Sequence, residues 1–308
     1  MTALRKAWPW LKVLIGVAIV GALLARLGTR SFVDSLRVIG APQLLTALGI
    51  GLVTTVLSAG RWCLVARRLG LRLELGPAVA DYYRATFLNS VLPAGVLGDV
   101  QRAVEHGRQE GDVGRGVRAV VLERTAGQAV VIIVGLAVLL TRPAVAPVRG
   151  MVLITVVVAV GLGVAVLAGR RWARNGSGWW HAAADVRAGL LARSAWPGVA
   201  ALSAAALTGH LTLFVVAARA AGATAPVTEL VPLVVLSLLA MGLPVNVGGW
   251  GPREGVAALV FGAAGFGAAL GLSTAVVYGV LALVASLPGA GVLLVRACAP
   301  RRRREAVV

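Results

Sequence analysis

The chain has 308 residues, of which 58% are hydrophobic and 14% charged, and its mean hydropathy is +0.87. Those values exclude an ordinary water-soluble domain and place the chain in a bilayer. Its 30 Lys and Arg against 12 Asp and Glu give a formal charge of +18. Because these cations sit between apolar runs, membrane topology accounts for them and no nucleic-acid partner is expected. Cys63 and Cys298 fit neither a disulfide framework nor metal-ligand spacing, and no cofactor or metal is expected.

A bilayer crossing needs about 20 apolar residues. A first span is read from about Pro9 to Leu27, with Lys12 and Arg26 reaching the two interfaces. It lacks the small-residue cleavage site of a secretory signal. Residues 38–60 form the second span, and residues 77–98 are apolar but interrupted by a Pro/Gly cluster. A third span covers 125–141 and borrows Val120, Val121 and Leu122 upstream; the fourth and fifth are 150–169 and 194–218. Residues 229–252 are again interrupted by Pro and Gly, and the uncharged run 255–295 is twice one crossing, so it must fold back once near Gly267, Gly271 and Ser273.

The cations orient these segments. With a cytoplasmic N-terminus, the inner side carries Arg5, Lys6, Lys12, Arg61, Arg67, Arg68, Arg72, Arg102, Arg108, Arg115, Arg118, Arg170, Arg171, Arg174, Arg187, Arg193, Arg296 and Arg301 to Arg304. The outer side carries only Arg26, Arg30, Arg37, Arg142, Arg149 and Arg219, so both termini are expected inside the cytoplasmic membrane. The tail 299–308 then meets anionic headgroups.

This topology requires 77–98 to enter from and return to the cytoplasm, and 229–270 to leave from and return to the outer side. Both are read as re-entrant hairpins, with tips at Leu92-Pro93-Ala94-Gly95 and at Leu243-Pro244 with its glycines. The order of span, hairpin and span then recurs in opposite orientations over about 40–142 and 195–298, a plan common among transporters. Eight complete crossings kinked at proline are the competing arrangement.

Irregular backbone at membrane depth needs a cavity or protein to satisfy its polar groups. Gly251-Pro252-Arg253-Glu254 reads as a helix start whose free N–H groups and Arg253 suit a phosphate or carboxylate; mutual pairing of Arg253 and Glu254 is the alternative. Asp99 can cap the helix that follows it and pair with Arg102, as Asp81 can with Arg84, and Asn89 adds an amide near the first tip. Glu123 and Arg124 are adjacent, so at least one should face the interior. His210 lies deep in a span, either in a proton relay or hydrogen-bonded to a neighbouring carbonyl. Trp8, Trp10, Trp179, Trp180 and Trp196 read as headgroup-level anchors. There is no Walker loop, GxSxG or HExxH, and the histidines are scattered at 106, 181 and 210, so enzymatic activity is not expected.

The stretch Phe87-Leu88-Asn89-Ser90-Val91-Leu92-Pro93-Ala94-Gly95, then Gly98-Asp99, Arg102, Glu123-Arg124-x-x-Gly127 and Leu243-Pro244-x-x-x-Gly248-Gly249-x-Gly251-x-Arg253-Glu254-Gly255, resembles the lysylphosphatidylglycerol synthase transmembrane-domain family over roughly residues 10–298. Val96 and Leu97 stand where that family commonly has glycine, and Glu123 where it often has aspartate. The resemblance implies a flippase-like domain, here a stand-alone member without the synthase.

The expectation is therefore an all-α polytopic membrane bundle at 1–298 with a basic tail at 299–308, moving an anionic or lipid-linked substrate between leaflets. Substrate contacts are expected from Asn89, Pro93, Gly95, Asp99, Arg102, Glu123, Arg124, Asn246, Gly249, Gly251, Arg253 and Glu254. A membrane phospholipid is the expected partner, with a separately encoded lipid synthase as a second. A lipid-modifying enzyme and a non-transporting synthase subunit are the rival functions.

Overall fold

The structure, a computed structural model, describes residues 37, 39–92, 95–141, 150, 192, 195–242 and 250–298. The spans expected at 9–27 and 150–169, the hairpin-tip residues 93–94 and 243–249, and the tail 299–308 lie outside those residues, as therefore do Pro93, Asn246 and Gly249.

The described residues are helical. In chain order they form α1 (Ala41–Arg68), α2 (Leu75–Val91), α3 (Leu97–Gln109), α4 (Val113–Thr141), α5 (Trp196–Ala220), α6 (Val227–Ala240), α7 (Pro252–Ala263), α8 (Ala268–Ser286) and α9 (Pro288–Cys298). Four stretches are long and apolar enough to cross a membrane: α1, α4, α5 and α8 continued by α9.

Local chemistry sets the helix ends. At the start of α1 the Gln43 side chain accepts the Gly40 N–H at 3.1 Å, and Arg67 and Arg68 occupy the last turn, where cations favour the helix dipole. Asp112 accepts the Arg115 N–H at 2.8 Å and so caps α4. The final apolar run turns at Gly265 and Gly267, whose φ angles of +84° and +91° suit glycine alone. The turn thus comes earlier than Gly271 and Ser273, which lie inside α8; Gly271 instead lets α8 approach Ala257 of α7.

Helix α5 lies at the centre, against α1, α8, α4 and α6. Phe214 of α5 stacks on Tyr278 of α8 at 4.4 Å, within a core that also holds Ala47, Val234, Ala257 and Leu281. A second core joins α4, α6 and α7 through Leu139, Leu233, Leu236 and Phe261. The third gathers α1, α2, α3 and α4 around Trp62, Cys63, Tyr82, Ala103 and Val120. Helices α2 and α3 pack backbone to backbone, since a Cβ on Gly98 would overlap the main chain of Ala85.

Candidate functional site

Five charged side chains meet where α1 to α4 converge. Glu123 of α4 is fully buried and accepts from Arg61 of α1, Nε at 3.1 Å and Nη2 at 2.5 Å, and from Arg102 of α3 through Nη2 at 2.8 Å. Tyr82 of α2 donates its hydroxyl to the same carboxylate at 3.2 Å. Asp99 of α3 accepts from Arg102 Nε at 2.9 Å and from Arg124 Nη2 at 2.8 Å. Arg61 also reaches Ser203 of α5 at 3.0 Å. Three guanidiniums against two carboxylates leave this cluster one positive charge in excess among the described residues.

Aromatic rings complete its walls. Arg102 lies 4.6 Å from the Trp62 ring centroid and 4.4 Å from that of Tyr82, and its Nη1 is buried with no hydrogen-bond partner among the described residues. Such cation–π contacts partly offset the loss of water. His106 meets the Trp62 ring edge-on at 5.5 Å. It lies on α3, outside the spans, where burial pushes its imidazole below the ordinary value of 6.5 against the opposing pull of Glu110 and Asp81.

Asn89 ties the first hairpin together. Its amide donates to Asp99 at 2.9 Å, and its carbonyl accepts the Gly98 N–H at 2.8 Å, so a residue of α2 satisfies a free donor at the start of α3. Asp99 is therefore not the cap expected of it: α3 already begins at Leu97, which places Asp99 in the first turn facing two arginines. Gly95 turns the chain into α3 with φ at +59°.

The second Pro/Gly cluster opens α7 as expected, with Gly251 at φ +103°, Pro252 at the first helical position and Glu254 in the first turn. Glu254 accepts the Gly251 N–H at 2.7 Å and binds Arg253 through both Nε, at 3.0 Å, and Nη2. Arg253 is 1% exposed and sits between Trp250 and Tyr278, at 5.1 and 5.2 Å. Of the two readings for this segment, the structure holds the ion pair.

The two clusters are linked through α5. His210 Nδ1 lies 3.3 Å from the hydroxyl of Tyr278. Its partner is thus a hydroxyl, and not the neighbouring carbonyl read from the sequence. His210 is exposed, and the Arg124 side chain is 42% exposed.

Of the expected contacts, Asn89, Asp99, Arg102, Glu123 and Arg124 come together, and Gly251, Arg253 and Glu254 form the second group. Arg61 and Arg102, counted as cytoplasmic flanks, are buried in the first cluster; without them the count read from the sequence is nineteen cations expected inside to six outside. Sequence reasoning also missed Tyr82, Trp62, Ser203, Trp250 and Tyr278. Only Arg61 carried a signal, because it lies nearly two helical turns inside the basic end of its own helix.

Helices of this length and hydropathy around buried charge define an integral membrane protein. A family model described as the lysylphosphatidylglycerol synthase TM region matches residues 10–289, and the chain belongs to that family. No curated protein and no solved structure matches the chain.

Proposed function

We propose that this protein is a flippase-like lipid transporter of the cytoplasmic membrane, with both termini inside, that moves an anionic or lipid-linked substrate between leaflets. The observation that carries this reading is the 42% exposed side chain of Arg124 in a charge cluster that, among the described residues, holds one positive charge in excess. An anionic headgroup supplies the balancing charge, and a guanidinium offers it a bidentate contact.

The helix order supports two opposed re-entrant hairpins. A long helix, two short ones and a long one (α1 to α4) are followed by the same order in α5 to α9. The long helices have 28 and 25 residues in α1 and α5, and 29 and 31 in α4 and α8 with α9; the short pairs have 17 and 13, then 14 and 12. In this reading α2 with α3 and α6 with α7 dip into the bilayer from opposite sides. The protein moves its substrate without changing it, and a separately encoded synthase supplies that substrate.

The test is exchange of fluorescent phosphatidylglycerol across reconstituted vesicles. Arg124→Lys keeps the charge and loses the fork, and Arg124→Gln loses both, so exchange should fall from Arg to Lys to Gln. A charge-assisted contact of about 1.5–3 kcal/mol corresponds to a loss of roughly 10-fold or more for Gln. Wild-type exchange by a folded Arg124→Gln protein overturns the role of Arg124, and chemically altered lipid in the vesicles points to an enzyme.

A further inference from the structure

We propose that Trp62, Arg102 and His106 form a binding site for one small inorganic anion of the size of chloride, where α1 meets α3. The inference goes beyond the transport reading and does not depend on it. Three buried nitrogens carry it: Trp62 Nε1, Arg102 Nη1 and His106 Nε2 have no hydrogen-bond partner among the described residues. The three residues are 0, 1 and 4% exposed, so bulk water does not satisfy them.

These side chains share one neighbourhood. Arg102 and His106 are four residues apart on α3, a spacing that sets them one above the other on the same helix face. Both meet the same indole of α1. The Arg102 Cζ lies 4.6 Å from the Trp62 ring centroid, and the His106 ring centroid lies 5.5 Å from it at an interplanar angle of 76°. The guanidinium is fixed in place, because its Nε donates to Asp99 at 2.9 Å and its Nη2 to Glu123 at 2.8 Å. Nη1 is the arm of the planar fork that those bonds leave over.

The chemistry of the nitrogens selects the ligand. Indole and guanidinium N–H groups donate and do not accept, and His106 donates from Nε2 in its Nε2–H tautomer. Three donors call for a species that only accepts. Water brings two protons of its own, whereas a halide brings none. Charge points the same way: Arg61, Arg102 and Arg124 against Glu123 and Asp99 leave one positive charge in excess among the described residues. Buried donors left unpaired cost stability, so an anion that takes up all three stabilises the folded protein. Because all three residues are buried, the ligand is a monoatomic ion and not a headgroup that carries acyl chains. The same excess charge attracts the headgroup proposed at Arg124, which shares Asp99 with Arg102, so the two anions compete.

The test uses the full chain in detergent free of anionic lipid, with sodium gluconate replaced stepwise by sodium chloride at constant ionic strength. Chloride should raise the thermal unfolding midpoint along a saturating curve, and chloride NMR should show line broadening that bromide displaces. Trp62→Phe keeps the ring beside Arg102 and removes its N–H, and His106→Phe does the same at the edge-on contact. Each should weaken chloride binding about 10-fold or more, the worth of one hydrogen bond to a charged partner. Trp196→Phe, at an exposed tryptophan of α5, should bind chloride as the wild type does.

A wild-type midpoint and chloride line that do not respond to the exchange of anions overturn the site and mean that water satisfies these donors. Equal chloride affinity in the wild type, Trp62→Phe and His106→Phe also overturns it, since the ions then sit on the basic surface alone. Where Trp62→Phe does not fold, His106→Phe carries the same comparison. Lipid exchange enters neither measurement, so the transport reading stands or falls separately.

Discussion

The two charge clusters use the same ingredients and differ in how they are assembled. Each buries a Glu against Arg, with one guanidinium between a Trp and a Tyr ring. The second is local: Arg253 and Glu254 are neighbours, and Glu254 also binds the backbone of its own helix start. The first spans four helices, with Glu123 drawing Arg61 from 62 positions away and Arg102 from 21. Among the described residues it also keeps one positive charge in excess, and its Arg124 side chain is 42% exposed. The local cluster therefore fixes a helix start, whereas the distributed one holds four helices together and leaves one of its guanidiniums exposed.

The largest expected effect comes from removing the shared carboxylate. Glu123→Gln leaves two buried guanidiniums without it, and breaking a buried pair costs about 3–5 kcal/mol. Glu254→Gln should cost a comparable amount, read as loss of thermal stability in detergent. The clusters separate on rescue. Adding Arg253→Gln to Glu254→Gln should recover most of the loss, because it removes the only cation of that pair. Adding Arg61→Gln to Glu123→Gln should recover only part, because Arg102 stays buried. Equal recovery in both would erase the distinction drawn between them.

This difference also decides what the sequence could reveal. The start of α7 was legible because Gly251, Pro252 and Glu254 act within one turn, and the pairing of Asp99 with Arg102 because three residues separate them on one helix face. The four long apolar stretches followed from gaps between charges. Contacts made across helices leave no such spacing: Arg61 next to the basic run Arg67-Arg68 looks like a membrane flank until Glu123 is packed against it. Trp62 misleads in the same way, since an interfacial tryptophan and a buried one beneath Arg102 are the same letter. Asp99 was taken for a cap because the extra turn of α3 ahead of it, and the Asn89 side chain that satisfies Gly98, depend on how α2 meets α3.

A smaller effect separates the clusters through their glycines. A Cβ on Gly279 would meet the Trp250 ring at 2.7 and 2.8 Å and Arg253 Nη2 closer still, inside a pair already held by its own helix start. A Cβ on Gly127 would meet the Arg61 guanidinium at 3.0–3.2 Å, and a long side chain can give by a few tenths of an ångström. Gly279→Ala should therefore cost about 1–3 kcal/mol as an overpacked core does, and Gly127→Ala less than about 1 kcal/mol. A larger loss at Gly127 would mean that the distributed cluster is the more rigid of the two.

The smallest expected effect is a pH dependence confined to the first region. In the unfolded chain His106 titrates near 6.5, and burial behind Trp62 lowers that value in the folded protein. Between the two values the unfolded chain holds a proton that the folded protein does not, so stability is complete above about pH 6.5 and declines as the pH falls below it. His106→Phe keeps a ring at the edge-on contact with Trp62 and removes the titration. His181, His210 and the carboxylates are common to both proteins, so their contributions cancel in the difference. From pH 7.5 to 5.5 the wild type should lose stability relative to His106→Phe, measured by thermal unfolding in the same detergent. Parallel curves would mean that the imidazole gains a partner for its proton in the folded state, and that the Trp62 side of the cluster is open to water as Arg124 is.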